Sequence, residues 1–452
     1  MIVMKFGGTS VGGVDPIQQV ISIVKGNLDK KPIVVVSAMS KVTDLLYKIA
    51  DAASKKDEKQ AVSLVEELRT RHIEVAEQLM EHDVANMLPA ISSINEICDE
   101  LERFVKAVSA IGELSPRSKA VVVSNGEILS STVISYAMNA NGIPTAWVDA
   151  RKMIITDDVD VLKGEPDRDM IQKRVPEIIS GVFDDHQAVI TQGFISATES
   201  GQPTILGRGG SDYTASLIGM AMDVERIEIW TDVDGVLTAD PRKVPDAKRL
   251  EKISFEEAAE MAHFGAKVLH PMTIEPAVKK NIPIYVLNSK NPKCTGTAIL
   301  QSDQIKDGVK SVSFKENIRL INIFSTKMIN TAGFLGKVFK MFSESNVSVD
   351  LISTSEANIS ITIDNTQDID ALVDKLSSFA EVEVDTGKAQ ISVVGKNLLN
   401  TPGITENVFS PIQTTKIYMI SQGATNINLS IVVDRADLEE TVLSIHNSIF
   451  LN

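Results

Sequence analysis

The sequence predicts an α/β protein in which a parallel sheet, covered by helices, is followed by two copies of a smaller α/β unit. In the first 300 residues, short β-branched runs alternate with segments of helical periodicity, which is the pattern of a parallel sheet. After about residue 300, the sequence repeats itself at a fixed offset of 70 residues. At roughly 150 residues per domain, a chain of 452 residues holds two to four domains. We therefore expect domains over residues 1–300, 301–385 and 386–452.

Composition excludes several classes of function. The net charge of −15 argues against a sequence-independent nucleic-acid binder, which needs an excess of lysine and arginine. The two cysteines, Cys98 and Cys294, are far apart and fit neither a zinc motif nor a disulfide framework. No apolar run approaches the ~18 residues that span a bilayer, and no signal peptide fits before Lys5. We therefore expect a cytoplasmic protein without a nucleic-acid or membrane partner.

The predicted strands carry polar motifs at their ends. Buried strands are expected at residues 33–39, 120–124, 143–149, 188–193 and 227–231, and two or three long helices at residues 57–110. Ligands of parallel sheets bind at the carboxyl ends of the strands. The motifs in those positions are Lys5 to Ser10, Ser37 to Asp44, Ser124 to Glu127, Gln192 to Ser196 and Thr231 to Gly235.

Two glycine-rich motifs are suited to bind anions. The first, Lys5-Phe-Gly-Gly-Thr-Ser10, places a lysine and bare backbone amides in a tight turn, and both bind phosphate oxygens. The second, Gly207-Arg-Gly-Gly-Ser-Asp212, leads into a predicted helix whose N-terminal amides and dipole favour an anion. Arg208 is suited to grip a carboxylate through two parallel hydrogen bonds, and Ser211 and Asp212 are candidate helix caps.

Three further motifs have a structural and a functional interpretation. Thr231-Asp-Val-Asp-Gly235 and Asp240-Pro-Arg242 are either turn clusters or part of a functional site. Lys267, beside Gly265, is either a solvated charge or, together with Lys5, neutralises a polyphosphate during transfer. Glu127 either binds an ammonium group or caps the next helix.

The C-terminal repeat predicts two similar small domains. Asn330-Thr-Ala-Gly333 matches Asn400-Thr-Pro-Gly403, and each copy is predicted to run strand, glycine turn, helix, strand, strand. The strand-like residues 309–314 stand opposite residues 379–384 at the same offset. Either segment completes either sheet, so the sequence leaves open whether the two copies exchange strands.

Four motifs, in their order along the chain, resemble those of the aspartate kinases of the amino-acid kinase superfamily. They are Lys5-Phe-Gly-Gly-Thr-Ser10, Gly207-Arg-Gly-Gly-Ser-Asp212, Trp230-Thr-Asp-Val-Asp-Gly235 and Phe264-Gly-Ala-Lys-Val-Leu-His-Pro271. The resemblance implies a three-layer αβα sandwich around a mainly parallel sheet, followed by two ferredoxin-like ACT domains. It also implies ATP-dependent phosphorylation of the β-carboxylate of L-aspartate, the first step of lysine, threonine and methionine biosynthesis.

The resemblance assigns roles to individual residues of the first domain. The catalytic residues would be Lys5, Asp212 and Lys267, with Asp212 orienting the two lysines. The substrate aspartate would contact Thr43, Glu127, Arg208 and Ser211. ATP would be bordered by Lys5, Gly7, Gly8, Thr231, Asp232, Arg242, Lys267 and Val268. Mg²⁺ would arrive with ATP, and no metal site made by the protein alone is expected.

The first C-terminal copy resembles the effector loop of lysine-inhibited, monofunctional members. The residues concerned are Met328, Gly333, Phe334, Leu335, Ser348, Val349, Asp350, Ser355 and Glu356. Asp350 and Glu356 suit a cationic group, whereas the second copy has no acid from Ser410 to Val433 and is expected to be structural. The resemblance implies lysine as feedback inhibitor, and a homodimer or dimer of dimers through the ACT domains.

Two alternatives remain open at the level of the sequence. One is a different kinase of the superfamily, acting on glutamate, acetylglutamate or a nucleotide; the first motif and the ACT pair argue against it. The other is a non-catalytic amino-acid sensor that kept the fold. Loss of Lys5, Arg208 or Asp212 would be its signature, and all three are present.

Overall fold

The computed structural model describes residues 1–265, 271–329 and 331–451 of the chain. The strands are β1 (Ile2–Phe6), β2 (Pro32–Val36), β3 (Thr145–Val148), β4 (Ala188–Gln192), β5 (Ile195–Ala197), β6 (Pro203–Ile205), β7 (Arg226–Thr231), β8 (Lys252–Ser254), β9 (Ile284–Asn288), β10 (Thr297–Leu300), β11 (Gly308–Phe324), β12 (Ile352–Thr354), β13 (Asn358–Asp364), β14 (Glu381–Lys396), β15 (Ile417–Gln422) and β16 (Asn428–Asp434). The α-helices are α1 (Val14–Lys25), α2 (Val42–Ser54), α3 (Glu58–Leu79), α4 (Val84–Ile111), α5 (Pro116–Ala140), α6 (Arg168–Ile179), α7 (Gly210–Met222), α8 (Phe255–His263), α9 (Pro271–Lys279), α10 (Phe334–Glu344), α11 (Asp370–Ser377), α12 (Ile404–Phe409) and α13 (Leu438–Phe450).

The first of two units comprises Met1–Val236 and Val268–Gln301 and is built around a mainly parallel sheet. Its strands lie in the order β3-β4-β2-β1-β7-β9-β10, and β10 runs antiparallel to β9. Strand β1 lies inside the sheet, because it pairs in parallel with β2 on one side and β7 on the other. The carboxyl ends of these strands share one edge, so the segments that follow β1, β2, β4 and β7 lie together there. The predicted mainly parallel sheet is confirmed.

The prediction of a strand at residues 120–124 is wrong. These residues lie within α5, which begins with Pro116 and whose Ser115 hydroxyl accepts a hydrogen bond from the Ser118 amide. Most of the helix is buried, so its sequence lacks the polar face that distinguishes a surface helix from a buried strand. Glu127 therefore lies in the middle of a helix and neither follows a strand nor caps a helix.

The long helices predicted at residues 57–110 are confirmed as α3 and α4. Each begins with an aspartate whose side chain accepts a backbone hydrogen bond, Asp57 from Gln60 and Asp83 from Asn86. Both contribute apolar residues to the core that also holds β1, β2 and α5. This helical layer packs against α5, the helix that carries Glu127.

The second unit comprises Leu237–Lys267 and Ser302–Asn452 and contains the predicted repeat. In both copies a glycine with positive φ is the N-cap of the helix, Gly333 (85°) before α10 and Gly403 (77°) before α12. Two antiparallel strands follow each helix, β12 and β13 in the first copy and β15 and β16 in the second. The predicted order of elements in each copy is confirmed.

The two copies exchange strands, which answers the question that the sequence left open. The first half of β11 pairs with the second half of β14, and the second half of β11 pairs with the first half of β14 and with β13. Val312, in the first half of β11, is buried in the core of the second copy with Ile391 and Val433. Conversely, Val382 and Val384 of β14 pack against the core of the first copy. Neither copy therefore completes its sheet without the other.

Gly126 marks a close approach of α5 to the segment after β2. A Cβ atom at this position would lie 2.8 Å from the Cβ of Ala38 and 3.1 Å from Cδ1 of Leu46. Gly126→Ala is therefore expected to destabilise the protein by about 1–3 kcal/mol through overpacking, although alanine has the higher helix propensity. Thermal unfolding followed by circular dichroism measures the effect. Gly181→Ala is the matched control, because a Cβ there would meet no heavy atom within 4 Å; equal melting temperatures for the two variants would contradict the packing.

Candidate active site

A cavity of about 490 Å³ lies at the carboxyl edge of the parallel sheet in the first unit. It is formed by the segments after β1 and β2, the start of α2, one turn of α5 and the glycine-rich entry to α7. The lining residues are Lys5, Gly8, Thr9, Ser37, Ala38, Met39, Ser40, Lys41, Thr43, Glu127, Phe194, Gly207, Gly209, Gly210, Ser211 and Asp212. The structure thus brings together six residues to which the sequence analysis gives roles: Lys5, Gly8, Thr43, Glu127, Ser211 and Asp212.

Lys5 and Asp212 form an ion pair on the cavity wall. The Nζ atom of Lys5 lies 2.6 Å from Oδ1 of Asp212, and the two side chains are only 12% and 14% exposed. The turn that carries Lys5 is fixed on both sides, because the Gly7 amide donates to the Trp230 carbonyl at 3.2 Å and the Ser10 amide donates to the Gly7 carbonyl at 2.9 Å. The pair therefore places a positive charge at a defined position beside the backbone of the glycine turn.

Two helices begin at this cavity without side-chain caps. Gly209, with a φ of 73°, is the N-cap of α7, and Lys41 is the N-cap of α2; neither helix has a side-chain cap hydrogen bond within the described residues. The prediction that Ser211 and Asp212 are caps is wrong, because Asp212 pairs with Lys5 and the Ser211 hydroxyl accepts a hydrogen bond from Ser37 at 3.0 Å. Free amides and the positive ends of two helix dipoles make this cavity suited to anionic ligands.

Glu127 is a buried acid of the same cavity and is suited to bind a cation, in contrast to the anion-binding helix N-termini. Its side chain is 3% exposed, and Oε1 accepts a hydrogen bond from the Ala38 amide at 3.1 Å. Its Oε2 atom is buried and has no hydrogen-bond partner among the described residues. Burial raises the pKa of Glu127 to about 8, although the hydrogen bond from Ala38 opposes the shift. A ligand cation at Oε2 would stabilise the ionised form of this carboxyl group.

The remaining predicted residues of the first unit lie at the same edge or beside it. Thr43 is half-buried in the first turn of α2, and Arg208 is exposed between the lining residues Gly207 and Gly209. Thr231 ends β7, which pairs with β1, and its carbonyl accepts a hydrogen bond from the Ser289 amide at 2.8 Å. Asp232 is exposed and accepts a hydrogen bond from the Thr231 hydroxyl at 3.3 Å.

Three predicted ATP contacts are not located at this cavity by the structure. Arg242 belongs to the second unit, where its Nε donates to Asp240 at 3.0 Å. Lys267 and Val268 lie outside the described residues. The roles of all three residues stay predictions.

The segment from Ser37 to Lys41 supplies most of the lining residues that the sequence analysis did not assign. This segment follows β2 and was recognised only as a polar motif after a strand. Ala38 and Met39 have apolar side chains, and a serine hydroxyl such as that of Ser37 is common after a strand, so only the Lys41 ammonium offered a specific signal. Phe194 lies in the motif from Gln192 to Ser196, which was likewise recognised only as a polar motif after a strand. Its φ of 68° is rare for a residue with a side chain and has no signature in the sequence.

In the second unit, the predicted effector residues surround the start of α10 and the β12–β13 hairpin. Phe334 is buried in the core of the first copy, and Leu335 is 38% exposed in the first turn of α10. Met328 and Val349 pack against the same core. The Ser348 amide donates to the side chain of Gln367 at 2.7 Å, which fixes the segment before β12.

The two predicted effector acids have different surroundings. Asp350 is 9% exposed, and its Oδ2 lies 2.8 Å from Nζ of Lys315 while its Oδ1 lies 3.7 Å from Nε2 of His263. Glu356 is exposed in the turn after β12, next to Ser355, whose amide donates to Asn358 at 2.8 Å. Strand β12 (Ile352–Thr354) separates Asp350 from Glu356 along the chain. The two acids therefore do not form one compact acidic cluster within the chain.

The part of the chain that the structure describes contains neither a metal-binding cluster nor a membrane-spanning helix. Within the described ranges, no three His, Cys, Asp or Glu side chains are grouped to hold a metal ion. In the same part of the chain, no helix combines the length and apolar character needed to cross a membrane.

The chain is similar to known proteins over its whole length. Residues 1–288 match the amino acid kinase family, and residues 321–373 and 391–449 match the ACT domain. Lysine-sensitive aspartokinase 3 of Escherichia coli (strain K12) is 34% identical over 100% of this chain and 99% of its own. Chloroplastic aspartokinase 1 of Arabidopsis thaliana is 36% identical over 99% of this chain and 80% of its own.

Solved structures agree in fold. The crystal structure of E. coli aspartokinase III in complex with aspartate and ADP superposes with a TM-score of 0.84 at 33% identity and covers 100% of both chains. The structure of the same enzyme with lysine and aspartate, in its T-state, gives a TM-score of 0.83 at 33% identity over 100% of this chain and 99% of that one. The chain therefore belongs to the amino acid kinase family and, within that family, to the aspartokinases.

Proposed function

We propose that this protein transfers the γ-phosphoryl group of ATP to the β-carboxylate of L-aspartate, which yields 4-phospho-L-aspartate for lysine, threonine and methionine biosynthesis. The observation that carries the proposal is the Lys5–Asp212 ion pair in a cavity where two helices begin without side-chain caps. Such a cavity suits two anions that must be held together during phosphoryl transfer. The related E. coli enzyme has been solved with aspartate and ADP, which supports the same pair of ligands here.

The reaction needs positioning and charge neutralisation more than acid–base chemistry. The nucleophile, a carboxylate, is already ionised at neutral pH, so no general base is required. Lys5 neutralises charge that develops on the transferred group, and Asp212 holds the lysine in place. The amides at Gly8 and at the start of α7 bind phosphoryl oxygens without any proton transfer. Holding acceptor and donor in line supplies the rest of the rate enhancement.

The substrate aspartate lies against α2 and α5 in this proposal. Its ammonium group pairs with the free Oε2 of Glu127, and the Thr43 hydroxyl lies on the same wall. Arg208 and Ser211 hold a substrate carboxylate at the entry to α7. This orientation points the β-carboxylate at the Lys5 end of the cavity.

The nucleotide lies beside β1 and β7. Thr231 and Asp232 follow β7 at the edge shared with the glycine turn, and Arg242, Lys267 and Val268 complete the predicted ATP contacts. Mg²⁺ bound to ATP would neutralise part of the phosphate charge. The acids of the cavity lining fit an ion that arrives with the nucleotide better than one held by protein alone, because Asp212 is paired and Glu127 is buried.

The effector site of the first C-terminal copy binds lysine in this proposal, as the name of the lysine-sensitive E. coli relative suggests. Asp350 already holds the ammonium of Lys315, so it is a carboxylate placed for a lysine-type cation, and the inhibitor would replace Lys315 there. Inhibition requires that lysine bind the inactive arrangement more tightly, and a coupling of ~1–3 kcal/mol is typical. Glu356 contributes to the same function from the other end of β12.

The organisation of the protein follows from these assignments. We place the catalytic domain at residues 1–300 and the ACT domains at residues 301–385 and 386–452, in a cytoplasmic enzyme. Strand β12 is at an edge of its sheet, and Ile352 on it is 43% exposed. An exposed apolar edge strand supports pairing with a second copy, and hence a homodimer or dimer of dimers through the ACT domains.

Activity is tested by trapping the acyl phosphate as aspartyl hydroxamate in the presence of ATP, Mg²⁺ and aspartate. Lys5→Ala is expected to lower turnover by about 10²-fold or more, because it removes the charge beside the transferred group. Lys25→Ala, an exposed lysine at the end of α1, is the control and keeps full turnover. Absence of hydroxamate with the wild-type enzyme would refute the proposed function, and retained turnover in folded Lys5→Ala would refute the role of Lys5.

Aspartate binding is expected to release protons at pH 7. The pKa of Glu127 is raised to about 8, so the free enzyme is mostly protonated there, and the bound ammonium ionises it. Affinity for aspartate should rise as the pH rises towards 8, and proton release should vanish above that value. Calorimetry in buffers of different ionisation enthalpy measures the release, and Glu127→Gln should abolish it and weaken binding. Binding without proton uptake or release in the wild-type enzyme would contradict the role of Glu127.

Lysine inhibition depends on Asp350 in this proposal. Asp350→Ala is expected to relieve inhibition in a lysine titration while turnover without lysine is kept, because the carboxylate that receives the effector is gone. Asp374→Ala, which removes an exposed acid of α11 in the same copy, is the matched control and should leave the inhibition curve in place. An unchanged curve for Asp350→Ala would show that lysine binds elsewhere.

A further inference from the structure

Lys41 occupies a position that is costly for a lysine. It is the N-cap of α2 with a φ of 65°, in the left-handed region that residues with side chains rarely adopt. Its side chain is exposed and lines the active-site cavity. Within the described residues its ammonium group has no hydrogen-bond or ion-pair partner, whereas its carbonyl accepts a hydrogen bond from the Leu45 amide at 3.1 Å. The fold therefore holds a free ammonium group at the cavity in a backbone conformation that would suit glycine better.

The charges of the cavity lining give this ammonium a specific importance. The lining contains two lysines, Lys5 and Lys41, and two acids, Glu127 and Asp212. The charge of Lys5 is balanced by Asp212 at 2.6 Å. Among the described lining residues, Lys41 is thus the lysine whose charge is not balanced by an acid. A phosphoryl group in transfer spreads negative charge over three oxygens and needs such cations.

The backbone before Lys41 places it on the phosphate side of the cavity. Ala38 lies next to Glu127, to which its amide donates a hydrogen bond. Two residues later, Ser40 packs against the glycine turn: a Cβ added at Gly8 would lie 3.8 Å from its Cα, and one added at Gly12 would lie 3.3 Å from its Cβ. A Cβ added at Gly8 would also lie 3.0 Å from the Ala38 carbonyl oxygen, so the segment from Ala38 to Ser40 lies against the glycine turn, and Lys41 follows it.

The buried Oε2 atom of Glu127 is a second, independent indication that this cavity binds a ligand. The Oε2 atom of Glu127 is buried in a side chain that is 3% exposed, and no described residue is its hydrogen-bond partner. A buried carboxylate oxygen without a partner is unfavourable, so a ligand group is the expected partner. The cavity therefore has an anion-binding end and a cation-binding end, as the zwitterion aspartate and a phosphate require.

We propose that Lys41 is a further catalytic residue, which binds the γ-phosphoryl group of ATP during its transfer to aspartate. This inference rests on the proposed function. The bond between the γ-phosphorus and the β–γ bridging oxygen breaks, a bond from that phosphorus to an oxygen of the β-carboxylate forms, and ADP leaves with the electron pair. Lys41 acts by charge and hydrogen bonding and transfers no proton. The two acids of the lining do not compete for it, because Asp212 is paired with Lys5 and Glu127 is buried.

The decisive variant is Lys41→Gly, because glycine adopts a positive φ without strain and the fold is kept. We expect kcat to fall about tenfold or more, with the KM for aspartate changed less than about twofold. Calorimetry should show weaker binding of ATP and unchanged binding of ADP, since only ATP carries the γ-phosphate. Lys41→Asn, which also tolerates this backbone region, should behave in the same way.

The matched control is Lys56→Gly. Lys56 has a φ of 63°, is exposed, and follows the C-terminal end of the same helix, α2, roughly 20 Å from Lys41 by helical rise. The Lys56→Gly variant loses the same charge and the same backbone strain as Lys41→Gly, but at a site outside the cavity. Its kcat and ATP affinity should therefore stay at wild-type values.

The outcomes separate this inference from the proposed function. If the wild-type enzyme forms no aspartyl hydroxamate, the proposed function itself fails. If the wild-type enzyme is active and Lys41→Gly has the same kcat and ATP affinity, the role of Lys41 is refuted and the proposed function stands. An effect confined to the KM for aspartate would also overturn the inference, because it would assign Lys41 to a substrate carboxylate.

Discussion

The ion pair between Lys5 and Asp212 is the interaction on which the proposed site depends. It joins the end of β1 to the first turn of α7, which lie far apart in the sequence. Because both side chains are largely shielded from water, separating them would leave a poorly solvated charge on either side. The pair therefore fixes the glycine turn relative to the start of α7. Both groups of backbone amides then line the same cavity as the lysine.

One cavity contains both anion-binding groups, the backbone amides, and a cation-binding group, the Glu127 carboxyl. Burial strengthens the electrostatic interactions of both. Helix N-termini and glycine amides supply fixed positive potential without side chains that would need to be ordered. Glu127, taken out of water by α5, has a pKa raised to about 8 and so avoids an unpaired buried charge in the free enzyme. In the proposed function, an arriving ammonium group favours its ionised form at neutral pH. On that proposal, binding of the substrate ammonium and ionisation of Glu127 are coupled.

Much of this arrangement was predictable, and the failures have physical causes. The glycine turn, the entry to α7 and the C-terminal repeat carry residue types with few other uses, so their motifs indicated the site and the duplication. Helix α5 was not predictable, because a helix buried on most sides shows the same β-branched apolar run as a buried strand. The capping prediction failed because Ser and Asp near a helix start are ordinary caps, and only the tertiary structure shows that Asp212 is used by Lys5. Strand exchange between β11 and β14 depends on pairing over a long sequence separation, which the offset of the repeat left open.

The regulatory half repeats the same principle of a buried acid held by a lysine. Lys315 forms an ion pair with Asp350 within the described chain, as Lys5 does with Asp212 in the catalytic half.

The proposed site requires that one cavity hold aspartate between Glu127 and Lys5. A crystal structure with aspartate and a non-hydrolysable ATP analogue is the decisive experiment. We expect the aspartate ammonium within hydrogen-bonding distance of Oε2 of Glu127 and the β-carboxylate directed towards the γ-phosphate beside Lys5. An aspartate bound with its ammonium away from Glu127, or outside this cavity, would contradict it.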